Sequence, residues 1–431
     1  MIKDIHKRKF IFNILTGITY ISLSRLLFLK KVNARAKPKV VILGSGIGGA
    51  SCLQYLNKIS DLIDLIVIDK NKKIRTGPFS NLVIGDIMEE ADITFFLNKK
   101  KYNNVKFIFD EAKYINSNKK FIEFSDGNKI NFDYLIISPG IGYKDNIIDG
   151  YKITDRLSVP HCWDGDGDLN YFKQKLGALE NNSLIIISSP DYPYRCPPAP
   201  YERASLISNY FKKKKINVKI LILDSKDSFT KQQNFFKEWS FYYKNTIEWV
   251  SRKKGGKVVS FDRKSNLVKN DQGELFKADF INIIPDQKAA PIIFNSNLVS
   301  KNDDWCQINP ISFQLTNFKD IYVVGDSINA WDMPKSAFSA NSQAKVLSLN
   351  LINRILEKDY IDPVFLNTCY SFSKDERAFS ISAWYRLNSS ADRIVSLGSS
   401  ESQVKLNSSE RIKEAKHAYG WYKTLVNDIF L

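Results

Sequence analysis

Two features of this 431-residue chain carry chemistry: a cysteine set among prolines and a turn made of glycines. Cys196 stands in YPYRCPPAPYERA, residues 192–204, which holds four prolines and no glycine. Prolines limit the local backbone, which suits a group that must be positioned before it reacts. Glu202 and Arg203 follow it on the first turn of an expected helix. A carboxylate there could take a proton from a weakly acidic substrate, and a cation could lower a thiol pKa. The ordinary alternative, favourable charges on a solvated helix start, is the reading the sequence favours for this pair.

The glycine turn lies near the other end. Lys39–Leu43 is a short β-branched run, followed by Gly44-Ser45-Gly46-Ile47-Gly48-Gly49 and a helical stretch over 50–59. A second strand over 64–68 closes on Asp69, about 20 residues beyond the glycines, where an acidic residue can hold a ribose. Each glycine has a reason. Gly44 turns the backbone, Gly46 admits a pyrophosphate, and Gly49 lets helix and strand pack, while the helix N-terminus offers free N–H groups to phosphate.

The same β-α-β pattern returns in the middle of the chain without its nucleotide chemistry. Strands are expected over 183–188 and 218–223, the latter ending on Asp224, with a helix over 201–213 between them. The turn is SPDYPYRCPPAP. Lacking glycine it cannot approach a phosphate closely, and its prolines remove N–H donors, so no second nucleotide and no NAD(P) is expected here. Two further stretches, DYLIISPG (133–140) and TNFKDIYVVGD (316–326), resemble the secondary signatures of glutathione reductase-type flavoproteins with two dinucleotide-binding domains. That resemblance makes Asp326 a ligand of the ribityl chain of FAD; the alternative is a helix N-cap.

The elements around these sites imply a large α/β protein, 44% hydrophobic and 13% aromatic. Residues 1–36 read as an export signal: Lys7-Arg8-Lys9, an apolar run over 10–28, and Ala34-Arg35-Ala36 as a cleavage site. Lys7-Arg8-Lys9-Phe10-Ile11 also resembles a twin-arginine signal, so a periplasmic location is expected. The segment carries eight Lys/Arg and one Asp, a net of +7, so the remainder carries +17 minus +7, or +10. That charge can steer acidic partners. Nucleic acid is not expected, because no binding module is recognised. Five cysteines permit disulfides, but the number is odd and a chain of this size needs no staples, so chemistry is the better motive for at least one pair. Cys52, Cys162 and Cys306 read as packing or incidental thiols, and His161 and His417 are too isolated for a metal site. SLGSSES, Ser396–Ser402, reads as a loop.

Several long strings in fixed order resemble the flavoprotein subunit of flavocytochrome c sulfide dehydrogenase: FSNLVIG (79–85), YRCPPAPYERAS (194–205), LDSKDSFTKQ (223–232), MPKSAFSANSQAKV (333–346), LNTCYS (366–371) and WYKTLVNDIF (421–430). The resemblance implies an α/β fold with two dinucleotide-binding domains, glutathione reductase-like, and a small C-terminal α+β domain. FAD would be held by residues 37–149 with 290–359. Residues 150–289 would form a nucleotide-like domain without nucleotide, and 360–431 the C-terminal domain. It also implies a redox disulfide between Cys196 and Cys369 and sulfide as substrate; Glu202, from its place just after Cys196, is the candidate catalytic base. Cofactor contacts are expected at Gly44, Gly46, Gly49, Asp69, Lys70, Asn81, Gly140, Asp326 and Lys335, the last neutralising charge on reduced flavin. Members of the family can attach FAD through a cysteine where this chain has Gly77, so FAD is expected to be non-covalent here. No Cys-x-x-Cys-His haem site occurs in the chain, which implies a separate c-type cytochrome as electron acceptor. The alternatives are a sulfide:quinone oxidoreductase, which would need an apolar C-terminal surface at a bilayer, and a non-catalytic flavin-bearing partner of a sulfur-oxidising complex.

Overall fold

A computed structural model describes residues 36–97, 101–165 and 167–431. The expected export signal therefore lies, but for Ala36, outside the described residues.

From Lys39 the chain lays down β1 (Lys39–Leu43), α1 (Ile47–Leu56), β2 (Asp64–Asp69), β3 (Val105–Phe109) and β4 (Tyr134–Ile137). It then builds β5 (Ser183–Ser189), α2 (Ala199–Lys214), β6 (Val218–Asp224), α3 (Gln232–Tyr242), β7 (Ile247–Val250) and β8 (Phe280–Ile283). It returns with β9 (Ile321–Val323) and α4 (Ala337–Ile355), and ends with β10 (Val364–Lys374), β11 (Arg377–Leu387), β12 (Ile394–Glu401) and α5 (Ser408–Phe430).

The first sheet has the order β9-β4-β1-β2-β3 and is parallel throughout. Val40, Val41 and Ile42 of β1 are fully buried, as a central parallel strand covered on both faces requires. The strand order reverses between β1 and β4, which opens a crevice at their carboxyl ends, the usual ligand position of such sheets. Gly44, Gly140 and Asp326 follow β1, β4 and β9, so topology alone brings three distant signatures to one edge. The second sheet, β7-β6-β5-β8, is also parallel and reverses between β5 and β8. There the turn after β5 carries Cys196.

The third sheet is antiparallel, β10-β11-β12, and α5 packs on it. The Asn407 side chain accepts the Glu410 N–H while Glu410 accepts the Asn407 N–H, a reciprocal cap that starts α5. Its apolar residues Ala415, Ala418, Tyr422, Leu425, Val426, Ile429 and Phe430 are buried, with Phe430 stacked on Phe95 at 5.0 Å. Among the described residues no helix is long and apolar enough to cross a membrane.

Ser396–Ser402 is not a loop. Most of it is the edge strand β12, whose Ser399, Ser400 and Glu401 lie opposite Ala383, Ser382 and Ile381. Its side chains from Ser396 to Glu401 are exposed, so over that stretch the backbone ladder to β11 defines it, and a polar edge of this kind resists further strand pairing. Asp326 is likewise no helix cap. The next helix, α4, begins eleven residues later and is capped by Ser336, which accepts the Ser339 N–H at 3.0 Å.

Candidate active site

Cys196 has φ +55°, a left-handed backbone unusual for a non-glycine residue. The conformation is held from both sides: its N–H donates to the Lys335 carbonyl at 2.8 Å, and its own carbonyl accepts the Ala199 N–H at 3.0 Å. Tyr194 Oη closes the turn on the Pro197 carbonyl at 2.6 Å. A local strain so tied down marks a positioned functional group. Cys369 arrives from mid-β10, paired with Ile381. The two thiols are free and half-buried, and each shifts the titration of the other. Their mutual interaction draws one thiol of the pair below the ordinary range and holds the other above it, so the two titrate as a unit that loses its first proton easily and its second with difficulty.

Glu202 and Arg203 are no solvated helix start. Helix α2 begins against β10, and Glu202 accepts the Phe372 N–H and Asn81 Nδ2, both at 2.8 Å. Burial raises the Glu202 carboxyl above its ordinary value, partly offset by those two donors. Arg203 is 1% exposed because its guanidinium finds an acceptor on every side: Asn81 Oδ1 at 3.0 Å, the His161 carbonyl, Asn282 Oδ1 at 2.8 Å and the Cys162 carbonyl. It also lies on the Trp163 ring at 4.8 Å. Burial pulls Arg203 down to about 10, still charged at neutral pH. Asn81 is thus a clasp between the short helix Ser80–Ile84 and α2, with both its oxygen and its amide engaged by protein.

The expected cofactor residues fit a dinucleotide. Gly44 has φ +92°, and a Cβ on it would meet the Ser138 carbonyl oxygen at 2.3 Å. On Gly49 a Cβ would lie 1.8 Å from the Gly44 oxygen, whereas on Gly46 it would meet nothing within 4 Å. Two glycines are therefore needed for packing, and the one assigned to pyrophosphate faces open space. Asp69 accepts the Ser45 N–H at 2.6 Å and its hydroxyl at 2.8 Å, which fixes the turn to the end of β2, and Lys70 is exposed just beyond. Gly140, φ +77°, is locked by Ser327 Oγ donating to its carbonyl.

Asp326 Oδ2 pairs with Arg195 Nε at 2.7 Å, but Oδ1 is buried without a hydrogen-bond partner. A buried orphan carboxylate oxygen calls for a donor, and a ribityl hydroxyl is one. Lys335 Nζ donates to the carbonyls of Asp326 and Ile328 at 2.9 and 2.7 Å and lies 3.5 Å from the centre of the Trp305 ring. Burial draws its ammonium down to about 7, against the nearby Asp326 charge. Gly77, opposite no heavy atom within 4 Å, is exposed.

The crevice of the second sheet is filled by protein. Asp224, fully buried at the end of β6, pairs with Lys226 at 2.6 Å and accepts Tyr201 Oη at 2.5 Å and Trp249 Nε1 at 2.8 Å. Lys226 also donates to Ser189 Oγ at 2.9 Å and to the Pro190 carbonyl at the end of β5. Cys52, Cys162 and Cys306 are buried thiols with pKa values pushed up to about 12 by burial, so they are inert packing groups. No metal-holding cluster occurs among the described residues.

Arg195, Trp163 and Lys231 were not singled out by sequence. Trp163 Nε1 donates to the Arg195 carbonyl at 2.9 Å, and Lys231 Nζ donates to the Cys369 carbonyl at 3.3 Å. Arg195 and Lys231 lie inside two of the resemblance strings, but only long-range contacts reveal their roles.

Comparison with known proteins places this geometry. Residues 38–169 match the family model for pyridine nucleotide-disulphide oxidoreductase. Residues 170–285 match the central region of the sulfide dehydrogenase [flavocytochrome c] flavoprotein chain, and 361–430 match flavocytochrome c sulphide dehydrogenase, flavin-binding. The flavoprotein chain from Chlorobaculum thiosulfatiphilum is 40% identical over 45 residues, 10% of this chain and 94% of that sequence. A mitochondrial sulfide:quinone oxidoreductase from Dictyostelium discoideum is 23% identical over 339 residues, 74% of this chain and 71% of its own. The solved sulfide:quinone oxidoreductase from Aquifex aeolicus superposes with a TM-score of 0.68 at 16% identity, over 91% of this chain and 92% of that one, which establishes a shared fold. The α/β fold of FAD-dependent disulfide oxidoreductases is therefore the fold of this chain.

Proposed function

The chain belongs to the flavoprotein-chain family of flavocytochrome c sulfide dehydrogenase, and from that premise we propose that it oxidises sulfide through a Cys196–Cys369 redox disulfide and passes the electrons via FAD to a c-type cytochrome. The observation that carries this reading is the packing of α2, which starts just after Cys196, on β10, which carries Cys369, with Glu202 fastened to the Phe372 N–H at 2.8 Å. In the oxidised enzyme HS⁻ attacks Cys196 Sγ, a new S–S bond forms, and the old bond breaks with its electron pair left on Cys369. Cys196 then carries a persulfide and Cys369 a thiolate. This assignment takes Cys369 as the flavin-proximal sulfur, as the family resemblance implies.

FAD, when bound, accepts the two electrons and can release them singly to a haem. Gly44, Gly46 and Gly49 admit its pyrophosphate, Asp326 meets its ribityl chain, and Lys335 stands as the cation beside it. Glu202 takes the proton of H₂S when the substrate arrives un-ionised. With Gly77 at the attachment position the cofactor is held non-covalently; flavin that stays with the polypeptide on a denaturing gel would overturn this. The filled crevice at Asp224 and Lys226 supports a site without NAD(P). The export-type sequence of residues 1–36 supports work in the periplasm.

The likeness to sulfide:quinone oxidoreductases favours a second acceptor, a quinone. The apolar face of α5 is turned inward, while Val364, Leu366, Trp384 and Leu397 of the C-terminal sheet are exposed, so the choice of acceptor rests on the family resemblance and on experiment. Anaerobic titration with sulfide tests the whole: stoichiometric bleaching of flavin near 450 nm, abolished in Cys369→Ser, is expected. Mixing the reduced protein with cytochrome c or with a soluble quinone then separates the acceptors.

A further inference from the structure

We propose that Lys231 is the charge-compensating group of the cysteine pair, a buried ammonium that holds Cys369 as the thiolate when a nucleophile opens the Cys196–Cys369 bond. The inference rests on the reading of the two cysteines as the redox pair and adds a residue to it.

Lys231 directly precedes α3, with φ +64°, and is 2% exposed. An ammonium out of water costs several kcal/mol unless something compensates it. Its contacts are the Cys369 carbonyl at 3.3 Å and the face of Phe379 at 5.7 Å, with no carboxylate of the described residues in ion-pair range. A buried cation with only a carbonyl and a ring has an unmet demand for negative charge. The groups around it able to gain one are the Cys369 sulfur, on the residue whose carbonyl it already holds, the Cys196 sulfur and the Glu202 carboxyl, on all of which its charge acts.

The other charges around the pair cannot take this role. Glu202, from α2, is an anion when ionised and opposes a thiolate. Arg203 feels the Cys196 charge, but its guanidinium is committed to Asn81, His161, Asn282 and Cys162. Arg411 of α5 lies 5.3 Å from the Phe379 ring and has Glu238 and Glu414 at 3.9 Å. Among the described residues Lys231 combines a bond to the Cys369 backbone with no carboxylate in ion-pair range, Glu202 acting on it only from farther off, and its charge pulls the Cys369 thiol down. The step needs no proton: the lone pair of HS⁻ makes the bond to Cys196, and the pair released by the broken disulfide rests on Cys369 beside the ammonium.

The test removes the Cys196 thiol first. In the flavin-loaded full chain carrying Cys196→Ala, Cys369 is the one half-buried thiol among the described residues, and Cys52, Cys162 and Cys306 serve as buried controls. Its alkylation by iodoacetamide is followed by peptide mass spectrometry from pH 5 to 10. Adding Lys231→Met should raise the midpoint by about one unit and slow alkylation at pH 7 roughly tenfold, and Lys231→Arg should restore both. An unchanged midpoint in folded Lys231→Met, checked by flavin content and melting, overturns the proposal. Should that variant not fold, Lys231→Gln in the same Cys196→Ala background takes its place, and an unchanged midpoint there overturns the proposal as well. If the midpoint shifts as expected while sulfide fails to bleach wild-type flavin, the sulfide reading falls and the Lys231–Cys369 coupling stands.

Discussion

Glu202 accepts the backbone N–H of Phe372 at 2.8 Å, so the first turn of α2 is fastened to β10 three residues beyond Cys369. One carboxylate therefore both registers the strand that carries a reactive thiol and lies where a substrate proton could be taken.

These two roles separate by pH. Burial raises the Glu202 pKa, so its folded-state contribution is greatest below the unfolded value of about 4.3 and is lost as pH rises through the folded pKa. The melting temperature of wild type relative to Glu202→Gln should fall from acid toward neutral pH, because the glutamine never ionises. Turnover depends on the ionised form instead, so the rate advantage of wild type should first appear as pH rises through the folded Glu202 pKa. As a general base Glu202 is worth roughly 10²–10⁴-fold when H₂S is un-ionised, and the defect of Glu202→Gln should shrink as pH rises and HS⁻ becomes the substrate. A pH-independent rate defect would leave only the fastening role.

The glycine turn offers a contrast between packing and binding. Gly49→Ala forces a Cβ to 1.8 Å from the Gly44 oxygen, so it should fail to yield soluble protein or melt far below wild type. Gly46→Ala meets nothing within 4 Å and should fold with an unchanged apoprotein melting temperature, yet release flavin. Flavin absorbance per polypeptide after gel filtration measures the difference. Retention of full flavin by Gly46→Ala would remove Gly46 from the phosphate site.

Asp326 has one oxygen committed to Arg195 and one buried and unpartnered. Asp326→Asn keeps the shape but removes the charge that a ligand hydroxyl would meet. A hydrogen bond to a charged group contributes about 1.5–3 kcal/mol, so FAD affinity should drop about 10–100-fold, read by fluorescence titration of the apoprotein. Equal affinity would assign the orphan oxygen to something other than the cofactor.

What could be read in advance divides along sequence distance. The strands at 39–43, 64–69 and 183–189 and the glycine turn announce themselves because a parallel strand and its turn are written in adjacent residues. Cys369 has no local signature: it is one residue of an ordinary antiparallel strand and gains meaning only by acting on Cys196. Arg203 and Lys231 are hidden for the same reason. In a chain with 63 Lys and Arg, nothing local separates a cation that is buried from the many that are solvated. Burial of Arg203 depends on acceptors from residues 81, 161, 162 and 282, which no window of sequence contains. The serine-rich edge strand was missed because its order comes from β11 and not from its own side chains.

The buried pair of Asp224 and Lys226 supplies a last test, on the second sheet. Asp224 ends β6 where a nucleotide-binding unit would present its ribose acid, but here it is fully buried and its carboxylate is met by Lys226, Tyr201 and Trp249. Lys226 in turn bridges back to Ser189 and Pro190, across the place a pyrophosphate would enter. Replacing Lys226 with methionine leaves an uncompensated buried carboxylate and should cost about 3–5 kcal/mol in urea unfolding, without creating a nucleotide site. Wild-type flavin should therefore stay oxidised under anaerobic NADH or NADPH at concentrations that would saturate a dinucleotide reductase. Rapid bleaching by either would mean that the crevice opens in solution and that the pair is a gate, not a plug.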